Sequence, residues 1–447
     1  MKTNVAATHT ERTHEGGMAR SPKGAAQLER QVATCMLFEN TFYESGSDIA
    51  ASIAKQCEAV DPAEIARLAV KARNDFKLRH VPLFLVAQLD KRRGEDVGLV
   101  KRTVYEVVQR PDEMGELLSI VQKENGGKPL KKVLSAQVKK GIAAAFTKFN
   151  AYQLAKWSRD EKIKVKDCLF LSHAKPKDEE QAKLWKALVD GTLEAADTWE
   201  TALSAGADKK ATWERLITEK KLGYMALLQN VRNCADVGVN PALVEKALLA
   251  GAKDSKALPF RFVSAAKAAP SFAQALSDAM LKAIGPEKLG GSTAVVVDVS
   301  GSMDAMLSAK GTLSRWEAAA ALAVLVREMC DEVRVFTFSS SLKEVSNYRG
   351  LPLIDHIGRS QPHNSTELRS ALSRVFTKDY APDRVIVVTD EQSHDGILPL
   401  PKGTKGYLVN VAPYHPGLDV SGGWTRINGF SERILDFVRF EEASQDQ

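Results

Sequence analysis

Apolar positions divide the chain into two textures. From residue 27 to about residue 286 they recur every three or four residues, the spacing that gives a helix one apolar face, and strand signals are few. Asp61-Pro62, Gly126-Gly127, Asn240-Pro241 and Leu258-Pro259 punctuate the series. Asp61 reads as a helix N-cap, with Pro62 at the first helical position and Glu64 three residues on. Asn240-Pro241 repeats the signal before a helix over residues 242–250. An all-α domain is therefore expected over residues 27–286. Without a strict sequence period, the furthest the pattern reaches is a HEAT-like stack of irregular helical repeats.

After Gly290-Gly291 the period changes. Val295, Val296 and Val297 form a β-branched run suited to a strand buried on both faces. The pattern then predicts a helix over 315–329, a strand over 333–338, a helix after Thr366, strands over 384–390 and 405–411, and a last amphipathic helix over 432–440. Strand-helix alternation predicts an α/β, Rossmann-like domain with a doubly wound parallel sheet, residues 291–442. Residues 284–291, rich in Gly and holding Pro286, read as the linker. Residues 1–26 show no apolar period and are expected to be a disordered tail.

Composition adds one asymmetry. The 447 residues are 44% hydrophobic and 26% charged, ordinary for globular protein and enough for two to four domains. No apolar run approaches a membrane span and the N-terminus is polar, so a cytoplasmic location is expected. Five scattered cysteines without a CxxC pair read as small buried hydrophobes. The net charge of +6 is modest, yet residues 128–186 hold fifteen Lys or Arg against six Asp or Glu. Phe146, Phe149, Tyr152, Trp157, Phe170, His173 and Trp185 interleave with them. Positive charge attracts phosphate, and aromatic rings stack on unpaired bases, a combination that favours RNA over a small substrate. The competing reading is a solvated Lys-rich surface over an aromatic core.

The strand at 293–298 delivers polar residues at its carboxyl end, where parallel sheets bind ligands: Asp298, Ser300 and Ser302 at spacing two and two. One carboxylate and two hydroxyls are hard oxygen ligands, suited to Mg2+, Mn2+ or Ca2+. No general base, nucleophile, Walker loop or GxGxxG turn accompanies them, so catalysis is not expected. Glu391, His394 and Asp395 read as a polar loop after a strand.

Asp298-x-Ser300-x-Ser302 resembles the metal-ion-dependent adhesion site of von Willebrand factor A domains. By that resemblance Thr366, in Asn364-Ser365-Thr366-Glu367-Leu368, is the fourth ligand, and Asp390, closing the 384–390 strand, the fifth. The glycines usual before the Thr are Asn364 and Ser365 here. In such domains the metal leaves a coordination position for an acidic residue of a partner. Further upstream, Gln27-Leu28-Glu29-Arg30, residues 38–44, residues 149–157, residues 167–176, Thr212-Trp213-Glu214, residues 222–233 and residues 258–262 are similar to the TROVE module. With an A domain following, the chain resembles the Ro autoantigen family, as a bacterial member.

That resemblance implies a helical-repeat ring, monomeric and closed by the A domain. It implies Y-like non-coding RNA on a basic outer surface and single-stranded ends of misfolded RNA in the hole. It extends to a tethered exoribonuclease such as polynucleotide phosphorylase. Lys156 and His173 match family positions implicated in RNA contact. A family Arg four residues past the Lys is Asp160 here, so Arg159 is carried as a shifted substitute. The alternative from another class is a metal-dependent protein-protein interaction module without specific RNA.

Overall fold

The computed structural model describes residues 11–19, 23–35, 37, 41, 43–92, 96–158, 162–255, 257–286, 288–308, 311–345, 347–420, 422–429, 434, 435, 437, 438, 441 and 442. Two compact units emerge: residues 50–222, and residues 1–49 with 223–447. A short hairpin, β1 (Glu11–Arg12) and β2 (Met18–Ala19), precedes helix α1 (Ala25–Thr34). The hairpin falls where the sequence suggests a disordered tail. Its partners lie almost four hundred residues downstream, beyond the reach of local pattern.

Residues 50–222 are helical throughout. The helices are α2 (Gly46–Ala59), which begins just before the unit, α3 (Pro62–Asn74), α4 (His80–Arg92), α5 (Leu99–Val107), α6 (Pro111–Glu124) and α7 (Leu130–Val133). They continue with α8 (Ala136–Phe146), α9 (Ala151–Trp157), α10 (Val165–Ser172), α11 (Glu179–Asp190), α12 (Trp199–Ser204) and α13 (Lys209–Thr218). Asp61 caps α3 as expected, accepting from Ala63 N at 2.8 Å, with Pro62 at the first helical position. Helix α4 is buried from Val81 to Asp90, apolar nearly all round, and α3, α5 and α6 pack against it. Each fully buried Leu or Phe there, such as Leu83 and Phe84, contributes about 2 kcal/mol. Gly141 brings α8 onto α5: a Cβ there would lie 2.5 Å from Val104 Cβ.

In the other unit, helices α14 (Tyr224–Asp236), α15 (Pro241–Gly251), α16 (Pro259–Ala268) and α17 (Ala273–Ile284) lead into a sheet. Asn240 caps α15, accepting from Ala242 N at 3.0 Å. Strand β3 (Leu289–Asp298) is followed by α18 (Arg315–Met329), β4 (Cys330–Phe338), β5 (Leu342–Val345), α19 (Gly350–Gly358), α20 (Leu368–Val375), β6 (Arg384–Thr389), β7 (Lys405–Asn410) and β8 (Trp424–Asn428). Leu289 to Gly291, read as linker from the sequence, open β3 instead.

The strand order is β5-β4-β3-β6-β7-β8. Every pair is parallel except β4 with β5, which makes the sheet mixed rather than wholly parallel. The four-residue β5 follows a tight turn at 339–341 and escapes periodicity for want of length. Strand β8, Trp-Thr-Arg-Ile-Asn, is polar and mostly half-buried at the opposite edge. Helix α18 is buried from Ala318 to Leu325 and packs on β3, β4, α16 and α19. On the other face, Leu368, Ala371, Leu372 and Val375 of α20 pack on Val296, Phe336, Val387 and Leu408. The expected final helix over 432–440 lies largely outside the described residues; Ile434, Leu435 and Val438 are helical and buried.

Candidate metal centre and basic helical surface

From β3 the chain goes to β4 on one side and returns to β6 on the other. The loops after β3 and β6 therefore diverge at a switch point, where an open α/β sheet leaves a crevice. Asp298 ends β3, and Ser300 and Ser302 lie in and beside a one-turn 3-10 helix, Gly301–Asp304. Asp390 immediately follows β6. Thr366 arrives on the segment before α20, tied to the first loop by Gly301 N donating to Asn364 O at 3.0 Å.

All five side chains are at most 4% exposed. Asp298 Oδ1 accepts from Ser300 N at 2.8 Å and Oδ2 from Thr389 Oγ1 at 2.6 Å. Ser300 and Ser302 hydroxyls are 3.3 Å apart, and the Ser302 side chain hydrogen-bonds Asp390. Asp390 Oδ1 accepts from Gln392 N at 3.2 Å, while its Oδ2, fully buried, has no hydrogen-bond partner. Burial first, then the neighbouring Asp390 charge, raises the Asp298 carboxyl above its ordinary range. Burial likewise raises Asp390, partly offset by Arg315.

Two carboxylates and the Ser300 and Ser302 hydroxyls thus converge with one orphaned carboxylate oxygen, and the buried Thr366 stands on the adjoining segment. These residues fit a hard divalent cation, which would hold both carboxylates ionised and satisfy Asp390 Oδ2. His, Cys, Asp and Glu form no cluster of three suited to a metal among the described residues, so any cation here rests on the hydroxyl-rich set.

The polar residues after Asp390 have structural partners. Glu391, at φ +61° and fully buried, receives Arg30 Nη1 at 2.7 Å and both Arg426 Nε and Nη2 at 2.9 Å. Asp395 accepts from Arg369 N and Ser370 N at the start of α20. No local signal pairs Arg30 with Glu391; only the TROVE-like opening block singled Arg30 out.

The basic segment resolves residue by residue. Phe146, Phe149 and Trp185 are core, at most 4% exposed, whereas Tyr152 and Phe170 are 49% and 58% exposed. Lys128, Lys131, Lys140, Lys166 and Lys175 are also exposed. Lys156 is half-buried in the last turn of α9, its ammonium 5.5 Å from the Trp157 ring and 5.9 Å from that of Tyr152. Trp157 in turn carries the Arg110 guanidinium at 3.5 Å. His173 is the C-cap of α10 in the left-handed region, φ +53°, a site usually held by Gly, and its side chain is exposed rather than packed. Helices α9 and α10 both pack on α6. Gly115 of α6 admits the backbone before α10: a Cβ there would meet Ile163 O at 2.6 Å. Arg159 lies outside the described residues.

Residues 186–285 match the TROVE domain family. The fold is similar to the crystal structure of Deinococcus radiodurans Ro (RSR) protein, with a TM-score of 0.56 over 93% of this chain and 98% of that one, at 17% identity. A segment matching the TROVE family thus lies within a chain whose fold is similar to that of a Ro protein.

Proposed function

We propose that this chain is the RNA-binding scaffold of a small cytoplasmic ribonucleoprotein. A structured, Y-like non-coding RNA lies on the basic helical surface, and single-stranded ends of misfolded RNA enter a ring of HEAT-like repeats closed by a von Willebrand A-type domain. The chain works as a monomer and tethers an exoribonuclease, of the polynucleotide phosphorylase kind, for RNA quality control; it is not itself an enzyme. The observation that carries the reading is on α9 and α10, where the half-buried Lys156 and the exposed Tyr152, Phe170 and His173 supply positive charge and stackable rings. Asp298, Ser300, Ser302, Thr366 and Asp390 hold a divalent cation, Mg2+ first and Mn2+ or Ca2+ as alternatives.

Crosslinking and sequencing RNA copurified with the intact protein tests this, beside a Lys156→Glu, His173→Ser variant. One dominant small RNA that disappears in the variant supports the scaffold, and no enrichment in either sample sinks it. The orphaned Asp390 Oδ2 favours one other reading, a metal-dependent protein-interaction module. That reading predicts partner binding abolished by Asp298→Ala and indifferent to Lys156→Glu.

A further inference from the structure

The hairpin of β1 and β2 docks on the loop that leaves Asp390. Thr13 Oγ1 donates to Ser393 O at 3.0 Å and accepts from Gly17 N at 2.9 Å, and His14 N donates to Gln392 Oε1 at 2.8 Å. Ala19 bridges to Leu418. Gly17 is required by this approach: a Cβ there would lie 2.2 Å from Ser393 O and 2.9 Å from the carbonyl carbon of His394. Thr13 is 4% exposed, and Gln392 and Ser393 are fully buried.

The two residues the hairpin grips also hold the far half of the metal centre. Gln392 N donates to Asp390 Oδ1 at 3.2 Å, and its Nε2 donates to Asp390 O at 3.2 Å and Pro416 O at 3.0 Å. An amide side chain has two faces, and the His14 N–H at one end with two carbonyls at the other fixes which way it points. Ser393 Oγ lies 3.0 Å from Thr366 O, and His394 N donates to the same carbonyl at 3.2 Å. Asp390 and Thr366 are thereby oriented by a short backbone stretch that the hairpin clamps.

We propose that the N-terminal hairpin is a positioning element of the metal centre, setting Asp390 and Thr366 against the Asp298 loop through Gln392 and Ser393. The proposal rests on the metal reading above. Outer partners of metal ligands commonly govern affinity by ten- to a hundredfold, on the order of what is expected here.

The test is Mn2+ titration of the full chain, followed by electron paramagnetic resonance, for wild type, Gly17→Val, Thr13→Val and Thr13→Ser. Gly17→Val cannot dock and should bind Mn2+ about tenfold more weakly or worse. Thr13→Val should lose part of the affinity, and Thr13→Ser, which keeps the hydroxyl, should restore it. Amide hydrogen exchange at 392–394 should quicken in Gly17→Val while the thermal transition of the unit is retained, separating misplacement from unfolding. Wild-type affinity in Gly17→Val overturns the hairpin's role alone. Absence of Mn2+ binding in the wild type overturns the metal reading and this proposal together.

Discussion

Arg30 and Glu391 stand 361 residues apart in sequence and 2.7 Å apart in space, both without solvent exposure. Arg30 also donates through Nε to Tyr414 O at 3.0 Å, and Arg426 grips the same carboxylate from another side. A buried guanidinium serving several acceptors uses its planar fork, which an ammonium does not reproduce. Removing it leaves Glu391 with one cation where it had two. Arg30→Ala should destabilise by about 3 kcal/mol, and Arg30→Lys should recover little of the loss. Urea unfolding measures both, and a wild-type midpoint for Arg30→Lys would refute the geometric argument.

At the candidate metal centre the buried Asp298 and Asp390 carboxylates repel each other when both are ionised and no cation is present. Asp298→Asn should therefore raise the melting temperature in chelator, while abolishing the rise that Mg2+ gives the wild type. A ligand at a hundred times its dissociation constant stabilises by about 2.7 kcal/mol, large enough to see by differential scanning fluorimetry. Equal Mg2+ responses in the two proteins would count against the site.

Glu116 offers a pH test in the helical unit. Arg79 is divided between it and Asp112, while Asp112 and Glu113 are also paired with Arg110 and Arg73. Burial first raises the Glu116 carboxyl to about 7, Arg79 opposing. A carboxyl raised on folding favours the protonated fold: its contribution is full below the unfolded value near 4.5 and is lost as pH rises through 7. Glu116→Gln should lose less stability than wild type between pH 5 and pH 8. Parallel pH profiles in urea titrations would contradict this.

For RNA, Lys156→Ala should reduce the slope of log affinity against log salt by about one phosphate contact. His173→Ser should weaken binding with little change in the slope, the exposed ring acting as a stacking surface for a base. Filter binding of the copurified RNA across a salt series separates the two.

Local chemistry made part of this readable in advance. Asp61-Pro62 and Asn240-Pro241 marked helix starts because a cap is decided within three residues. Val295 to Val297 followed by Asp298 announced the central strand and its loop because burial on both faces imposes an unbroken apolar run. The hairpin at 11–19, the edge strands β5 and β8, and the Arg30–Glu391–Arg426 group carried no such mark. Each is specified by partners far along the chain, and a polar residue destined for burial looks like any surface residue until its partner is known. The aromatic residues of 128–186 were legible as a set but not singly. The helix face that buried Phe146 and exposed Phe170 is set by tertiary packing.

The separation of Asp298 from Thr389, 91 residues, has a temporal side as well as a spatial one. At synthesis rates of about 5–20 residues per second, the Asp298 loop leaves the ribosome roughly ten seconds before the strand that completes its crevice. Arg30 waits tens of seconds longer for Glu391. Through that interval the nascent chain presents Arg30 without Glu391 and the helical segments already made, so the segment from residue 391 to residue 426 decides when the buried Arg30 cluster closes. A chain truncated just after Asp390 would keep that carboxylate yet lack Glu391, Tyr414 and Arg426, and would hold the newborn arginine without its cage.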